Sequence, residues 1–194
     1  MKHIEDYFNN VIQSVNNLDK KKILKIIKLL KNLRSKSGRL FLIGVGGSAG
    51  NASHAVNDFR KLCNIDAYTP VDNISEITAK TNDEGFDTIF DSYLKLCKIN
   101  RKDILMVFSV GGGSQKKNVS VNLIKAIKYA KIKKTKIISV VGKTDGYAYK
   151  NSDISLSINM KNKKLITPIS ETFQVLIWHL LVSHPALQSN DTKW

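Results

Sequence analysis

The sequence predicts a single α/β domain built on a doubly wound parallel sheet flanked by helices, with a pair of helices at its amino end. Three short apolar runs, at residues 40–44, 103–109 and 136–142, end in small residues, which is typical of buried parallel strands. Segments of helical periodicity separate these runs. The 194 residues contain no Pro- or Ser-rich linker. We therefore expect one domain over residues 1–194.

The amino-terminal segment contains two stretches of helical periodicity. Apolar residues recur at helical spacing from Ile4 to Val15 and again from Ile23 to Leu33, and residues 16–19 interrupt the pattern. We expect residues 1–36 to form two helices that pack on the core or on a neighbouring subunit.

The remaining elements follow the strands in order. Helical patterns at residues 51–62, 86–97 and 121–131 separate the strands, and residues 153–158 alternate polar and apolar side chains, as expected for a strand nearer the edge. Residues 168–183 are rich in aliphatic and aromatic side chains, with Pro168 at the start and Pro185 beyond the end. This last segment predicts a buried or interface helix.

Composition narrows the functional classes. Thirty-one Lys and Arg against sixteen Asp and Glu give a net charge of +15, which would attract polyanions. The excess is mostly lysine, spread over helix faces without interleaved aromatic residues, so it indicates a solvated surface and we expect no nucleic-acid partner.

Compartment and redox state follow from two further features. No apolar run reaches the roughly 18 to 20 residues needed to cross a bilayer, and the first residues carry acids, so we expect a cytoplasmic protein without a membrane partner. Cys63 and Cys97 form no CxxC pair, and we expect two reduced thiols packed as small apolar groups.

Two glycine-rich loops follow predicted strands and open predicted helices. The first glycine loop (residues 44–50) carries Ser48, and the second glycine loop (residues 109–114) carries Ser109 and Ser114. Glycine lets the backbone approach a ligand, and hydroxyl groups add donors at the strand ends where open α/β sheets bind anions. Neither loop has the spacing of a dinucleotide fingerprint or a P-loop. The pair favours a phosphate group, although each loop alone is also compatible with a tight connection.

Four polar side chains are candidates for chemistry. His54 and Asp58 are four residues apart on one helix face, a spacing that suits a metal ion, an acid–base pair or a surface hydrogen bond. Glu171 and His179 lie on the apolar last helix, where a buried charge is costly without a partner. They are either functional residues or a satisfied core pair.

In combination these segments resemble the sugar isomerase (SIS) domain family, and within it the phosphoheptose isomerases. GVGGSAGNASHAVND resembles the family's G-N-G-G-S-A…H-x-x-x-E segment, and ITAKTNDEGFD resembles L-T-A-x-x-N-D-x-G. FSVGGGSQKKNV resembles the S-T-S-G-N-S-x-N-V loop, and the last helix carries the family's terminal histidine. The resemblance spans essentially the whole chain.

The resemblance implies an aldose–ketose isomerase that converts sedoheptulose 7-phosphate to D-glycero-D-manno-heptose 7-phosphate, for lipopolysaccharide, capsule or other glycoconjugate biosynthesis. It implies a cytoplasmic homotetramer with one zinc ion per subunit, although the donor types also suit manganese or iron. Its acid–base pair falls on Asp58 and His179. The implied metal ligands are His54, Asp58, Glu171 and His179. The implied substrate-binding residues are Val45, Gly46, Gly47, Ser48, Asn82, Asp83, Ser109, Val110, Gly111, Ser114 and Glu171.

The sequence departs from the family pattern at several of these positions. Asp58 replaces Glu, Glu171 replaces Gln, Val45 replaces Asn, and residues 110–111 replace Thr-Ser. These changes either retune the site to another sugar or metal or slow turnover, because a shift of about 1 Å can cost roughly 100-fold in rate. Lys116 and Lys117 would supply charge beside the second glycine loop. The alternative is a non-catalytic SIS protein that binds a sugar phosphate or a replication-initiator-type protein partner.

Overall fold

A five-stranded parallel sheet forms the centre of the protein in the computed structural model, which describes residues 1–192. The strands are β1 (Leu40–Ile43), β2 (Ala67–Tyr68), β3 (Ile104–Ser109), β4 (Lys136–Val141) and β5 (Ile154–Ser157). Their order across the sheet is β2-β1-β3-β4-β5, and every neighbouring pair is parallel. The predicted parallel sheet is confirmed, with β5 at its edge.

Eight helices surround the sheet in the described chain. They are α1 (Lys2–Asn16), α2 (Lys20–Ser35), α3 (Gly47–Cys63), α4 (Ile74–Glu84), α5 (Ile89–Leu96), α6 (Val121–Ile132), α7 (Tyr147–Asn151) and α8 (Ile166–Val182). Local sequence explains where two of them start. The Asp19 side chain accepts a hydrogen bond from the Lys22 backbone N–H at 3.0 Å, and Asn73 caps α4 in the same way.

Helices cover both faces of the sheet. Alternate strand residues point to opposite faces, so Leu40 and Leu42 pack with α2, α3 and α8, whereas Phe41 and Ile43 pack with α5, α6 and α7. The chain leaves β1 toward one face and β3 toward the other. The two glycine loops therefore flank the topological switch point between β1 and β3, where open α/β sheets bind their ligands.

The two amino-terminal helices differ in their packing. Helix α2 buries five apolar residues in the core, whereas α1 contacts it mainly through Tyr7 and Val11. Asn10 and Ser14 of α1 also form hydrogen bonds with the 159–162 segment. The opposite face of α1 leaves four apolar side chains between 41% and 59% exposed: Ile4, Phe8, Ile12 and Val15. Packing of this stripe on a neighbouring subunit stays a prediction.

One segment of the described chain, Lys163–Val182, is long and apolar enough by length and composition to cross a membrane, with a mean hydropathy of 1.4. The expectation that no run reaches this length is therefore wrong. Half of the segment is buried inside the domain, where α8 packs against α3. Its place in the core accounts for its apolar character.

Candidate active site

Helices α3 and α8 lie side by side and run in the same direction. Near the start of α3, the Gln174 side chain from the middle of α8 donates to Ser48 Oγ at 3.0 Å and accepts from Asn51 Nδ2 at 2.9 Å. Near their ends, Cys63 Sγ lies 3.7 Å from the Val182 carbonyl oxygen. This alignment brings the middle of α3 next to the second half of α8.

Three of the predicted ligands meet at that point. Asp58 Oδ2 lies 3.6 Å from His54 Nε2 and 3.4 Å from His179 Nε2. The three ligand atoms all lie within 4.8 Å of one another. Both imidazoles are about half exposed, at 58% and 50%, while the Asp58 side chain is 11% exposed. The group, which we call the His–Asp–His cluster, therefore faces solvent over a buried carboxylate.

The cluster fits a divalent ion by spacing and by donor type. Zinc bonds of about 2.0–2.2 Å in tetrahedral geometry separate neighbouring ligand atoms by roughly 3.3–3.5 Å. The two carboxylate-to-imidazole distances, 3.4 and 3.6 Å, are close to that separation. Two imidazoles and one carboxylate are also ligands that zinc accepts, with a further position left for water or substrate.

Trp178 forms the buried wall behind the cluster. Its Nε1–H donates to Asp58 Oδ2 at 3.0 Å, and Asn57 Nδ2 donates to Asp58 Oδ1 at 3.1 Å. Sequence reasoning placed Trp178 only on an apolar helix surface. A buried indole usually finds an acceptor for its N–H, so a tryptophan next to His179 was the signal that could have identified this contact.

Glu171 lies apart from the cluster. Its carboxylate rests against Gly47, with Oε2 2.5 Å from the position that a Cβ at residue 47 would occupy. Glu171 and His179 are eight positions apart on α8, which corresponds to about 12 Å along the helix. The structure thus brings together three of the four predicted ligands and places Glu171 at the first glycine loop, near the amino end of α3.

The first glycine loop contributes little free hydrogen-bonding capacity from its side chains. Ser48 is buried and its hydroxyl already accepts a hydrogen bond from Gln174. Val45 is half buried and packs on the face of the sheet that α5, α6 and α7 cover. Gly46 has φ of 62°, which glycine adopts without strain. Ligand contact at this loop would therefore rely on its backbone, as expected when Val45 stands in place of an amide side chain.

The second glycine loop borders an open cleft. Ser109 is buried and accepts from the Gly112 backbone N–H at 2.9 Å, so its hydroxyl supports the loop. Gly112 and Gly113 have φ of 72° and 81°. Beside the loop lies a cleft of about 190 Å³, which we call the lysine cleft. It is lined by Gly111, Gly113, Ser114, Lys117, Val119, Lys143, Asp145 and Gly146.

Asn82 and Asp83, which the family resemblance assigns to a substrate loop, lie on the last turn of α4 instead. Both are exposed, and Asn82 Nδ2 donates to Asp83 Oδ1 at 2.8 Å. The loop placement is wrong because the Asn73 cap starts a helix that continues through both residues to Gly85. Their contact with substrate stays a prediction.

Comparison with known proteins agrees with this architecture. The SIS domain family matches residues 5–142. Lincomycin biosynthesis protein LmbN of Streptomyces lincolnensis is 32% identical over 148 residues, which cover 73% of this chain and only 54% of LmbN. Phosphoheptose isomerase of Helicobacter pylori is 26% identical over 152 residues, covering 76% of this chain and 71% of that protein.

A solved structure is similar over nearly the whole fold. The structure of a phosphoheptose isomerase from Francisella tularensis superposes with a TM-score of 0.79 at 25% identity, covering 93% of this chain and 95% of that one. The family match covers more than half of the sequence, including both glycine loops and two residues of the His–Asp–His cluster. This chain therefore belongs to the SIS domain family.

Proposed function

We propose that the protein is a sugar-phosphate aldose–ketose isomerase that acts on sedoheptulose 7-phosphate to give D-glycero-D-manno-heptose 7-phosphate. The observation that carries the proposal is the His–Asp–His cluster, assembled within a SIS fold from two helices that are distant in sequence. Phosphoheptose isomerases among the relatives support the seven-carbon substrate.

The cluster has the groups that this proton transfer needs. Aldose–ketose exchange moves one proton between neighbouring carbons and a second between their oxygens, through an enediol-type intermediate. Asp58 and His179 lie 3.4 Å apart, so both can address the same pair of carbons, one accepting a proton while the other donates. A divalent ion held by His54, Asp58 and His179 would supply a Lewis acid for the carbonyl oxygen.

The phosphate group is proposed to bind at the second glycine loop. Glu171 rests against Gly47, where its negative charge opposes an anion at the first glycine loop. Lys117 and Lys143 line the lysine cleft, and within the described residues neither ammonium group forms an ion pair. Their charge takes the place of the hydroxyl that is missing at Gly111. Asp145 lines the same cleft and is available to accept hydrogen bonds from sugar hydroxyls.

The finer features follow the same proposal. We assign zinc as the ion, one per subunit, in a cytoplasmic homotetramer formed by a single domain over residues 1–194. The remaining loop residues, including Val110, are assigned to substrate contact, and the product to heptose or glycoconjugate synthesis.

The first test is the metal content of the purified protein, measured by elemental analysis. We expect close to one zinc per chain, lost in His54→Ala and in His179→Ala and retained in the control His3→Ala, whose histidine lies on exposed α1. Ketose–aldose exchange is then measured on seven-carbon and five-carbon sugar phosphates. Absence of metal after incubation with zinc, together with absence of exchange on every substrate, would contradict the proposal.

A second candidate is a non-catalytic SIS protein that binds a sugar phosphate or a replication-initiator-type protein partner. The position of Glu171 favours the protein-binding form of this candidate, because a carboxylate at the first glycine loop is unfavourable for an anionic ligand there. Binding of the heptose phosphate without exchange in the metal-loaded protein would favour this candidate over the isomerase.

A further inference from the structure

The environment of Asp58 Oδ2 is unusual for a carboxylate at a solvent-facing cluster. This oxygen is the one that faces both imidazoles, and it is also the one that accepts the Trp178 N–H at 3.0 Å. Trp178 is 1% exposed, so water does not compete for the hydrogen bond. A carboxylate oxygen has two lone pairs, and this bond leaves one of them for the open side of the cluster.

The indole itself is held by rings on both sides. The imidazoles of His54 and His179 lie 5.3 and 5.0 Å from it, centroid to centroid. On the sheet side, Phe108 of β3 is stacked at 6.1 Å with 26° between the ring planes. Packing to this density leaves a buried ring little rotational freedom. The direction of the indole N–H is therefore set by the core of the protein.

A short side chain makes this direction important. The terminal torsion of aspartate is broad, so the backbone of α3 alone does not fix the rotation of the carboxylate relative to the imidazoles. Asn57 holds Oδ1 and Trp178 holds Oδ2, which together define one orientation of the carboxylate. Outer hydrogen bonds of this kind orient metal-binding groups, and their loss typically weakens metal affinity about 10–100-fold.

We propose that Trp178 is a positioning residue, which fixes the Asp58 carboxylate between His54 and His179 through its indole N–H. The inference rests on the proposed function, because it concerns the same cluster. It adds a residue that never contacts the sugar and acts through Asp58.

The test compares zinc affinity in four proteins, measured by competition with a chromogenic chelator. Trp178→Phe keeps an aromatic ring in the core and removes the N–H, and we expect zinc binding about 10–100-fold weaker than in the unchanged protein. In an Asp58→Ala background the same Trp178→Phe change should have no further effect, because the carboxylate that it orients is gone. Urea unfolding of each variant checks that the domain remains folded.

Equal zinc affinities for the unchanged protein and Trp178→Phe would overturn the inference. An equal loss of zinc affinity on Trp178→Phe with and without Asp58→Ala would also overturn it, because the loss would then come from packing alone. If the unchanged protein binds no zinc, the metal part of the proposed function fails, and the indole N–H signal in a nitrogen–proton spectrum decides the inference. Trp178→Phe assigns that signal among the two tryptophans. Slow exchange with water that Asp58→Ala abolishes supports the inference; fast exchange overturns it.

Discussion

Helix pairs α3–α8 and α5–α6 cover opposite faces of the same sheet, yet their interiors differ. Between α5 and α6 the buried side chains are mostly apolar, among them Phe90, Leu94 and Ile127. Between α3 and α8, buried polar groups run along the seam, including Ser48, Asp58 and Gln174, with hydrogen bonds to partners on the facing helix. Burying polar groups is unfavourable without partners, so the hydrogen-bonded polar groups between α3 and α8 distinguish the face that carries the site.

The largest effect on the free energy of unfolding is expected from a change in the apolar interior between α5 and α6. Leu94→Ala removes a fully buried side chain from α5, and we expect the free energy of unfolding in urea to fall by about 2–5 kcal/mol. Leu96→Ala is the matched control, because Leu96 is 67% exposed on the same helix. Zinc affinity of folded Leu94→Ala should match that of the unchanged protein. A parallel loss of zinc affinity would show that the two faces are coupled.

The loss of one amide from the polar seam between α3 and α8 should lower stability. Gln174→Leu keeps the volume of the side chain but leaves Ser48 Oγ and Asn51 Nδ2 without this partner. We expect the free energy of unfolding to fall by about 1–3 kcal/mol, the cost of leaving a buried polar group unpaired. The control is Gln115→Leu, at an exposed loop position. If Gln174→Leu unfolds at the same urea midpoint as the unchanged protein, the polar seam does not contribute to stability.

A smaller effect is expected at the lysine cleft. Lys143→Met should weaken binding of inorganic phosphate, measured by calorimetry, about tenfold, since each 1.4 kcal/mol is a factor of ten in affinity. Asp145→Asn should tighten the same binding, because it removes a negative charge from the cleft. The control Lys31→Met changes an exposed lysine on α2 and should have no effect. Equal phosphate affinities for all three variants would show that phosphate does not bind in this cleft.

The smallest effect concerns the two thiols, of which Cys63 ends α3 and Cys97 follows α5. Burial raises the pKa of Cys63 to about 11, and burial also raises the pKa of half-buried Cys97. Thiolate is the reactive form, so at pH 8 we expect a disulfide reagent to modify Cys97 first and Cys63 only on unfolding.

The same thiol gives a pH dependence of stability. The pKa of Cys63 is raised on folding above an unfolded value of about 8.5, so its contribution to stability is complete below that pH. The contribution is lost as the pH rises through about 11. Urea unfolding between pH 8 and 10 measures the loss, and a free energy of unfolding that rises over this interval in the unchanged protein relative to Cys63→Ala would contradict the assignment.

Sequence patterns predicted the larger elements well, because buried strands and long amphipathic helices leave clear periodicity. They missed β2, which has two residues, and α7, which has five, since segments of that length carry no period. They also missed α4, whose residues are all at least partly exposed. Periodicity does not encode such a helix strongly.

In the candidate site too, sequence patterns identified some residues and missed others. Helical spacing identified His54 with Asp58, and the apolar context of α8 identified His179. The bonds of Trp178 and Gln174 depend on how two distant helices align, which spacing on either helix does not specify. The same alignment places Glu171 beside Gly47, and no residue pattern within α8 could have distinguished that position from the cluster.

The parallel alignment of α3 and α8 also has a consequence for biosynthesis. During translation, His54 and Asp58 leave the ribosome more than a hundred residues before α8, and a domain folds as a unit. Until residues 166–182 emerge, α3 lacks the cover that α8 provides, and Asp58 has neither its imidazole from α8 nor its indole partner. The cluster is thus a property of the finished molecule, so an unfinished or prematurely terminated chain has no complete centre with which to capture an ion.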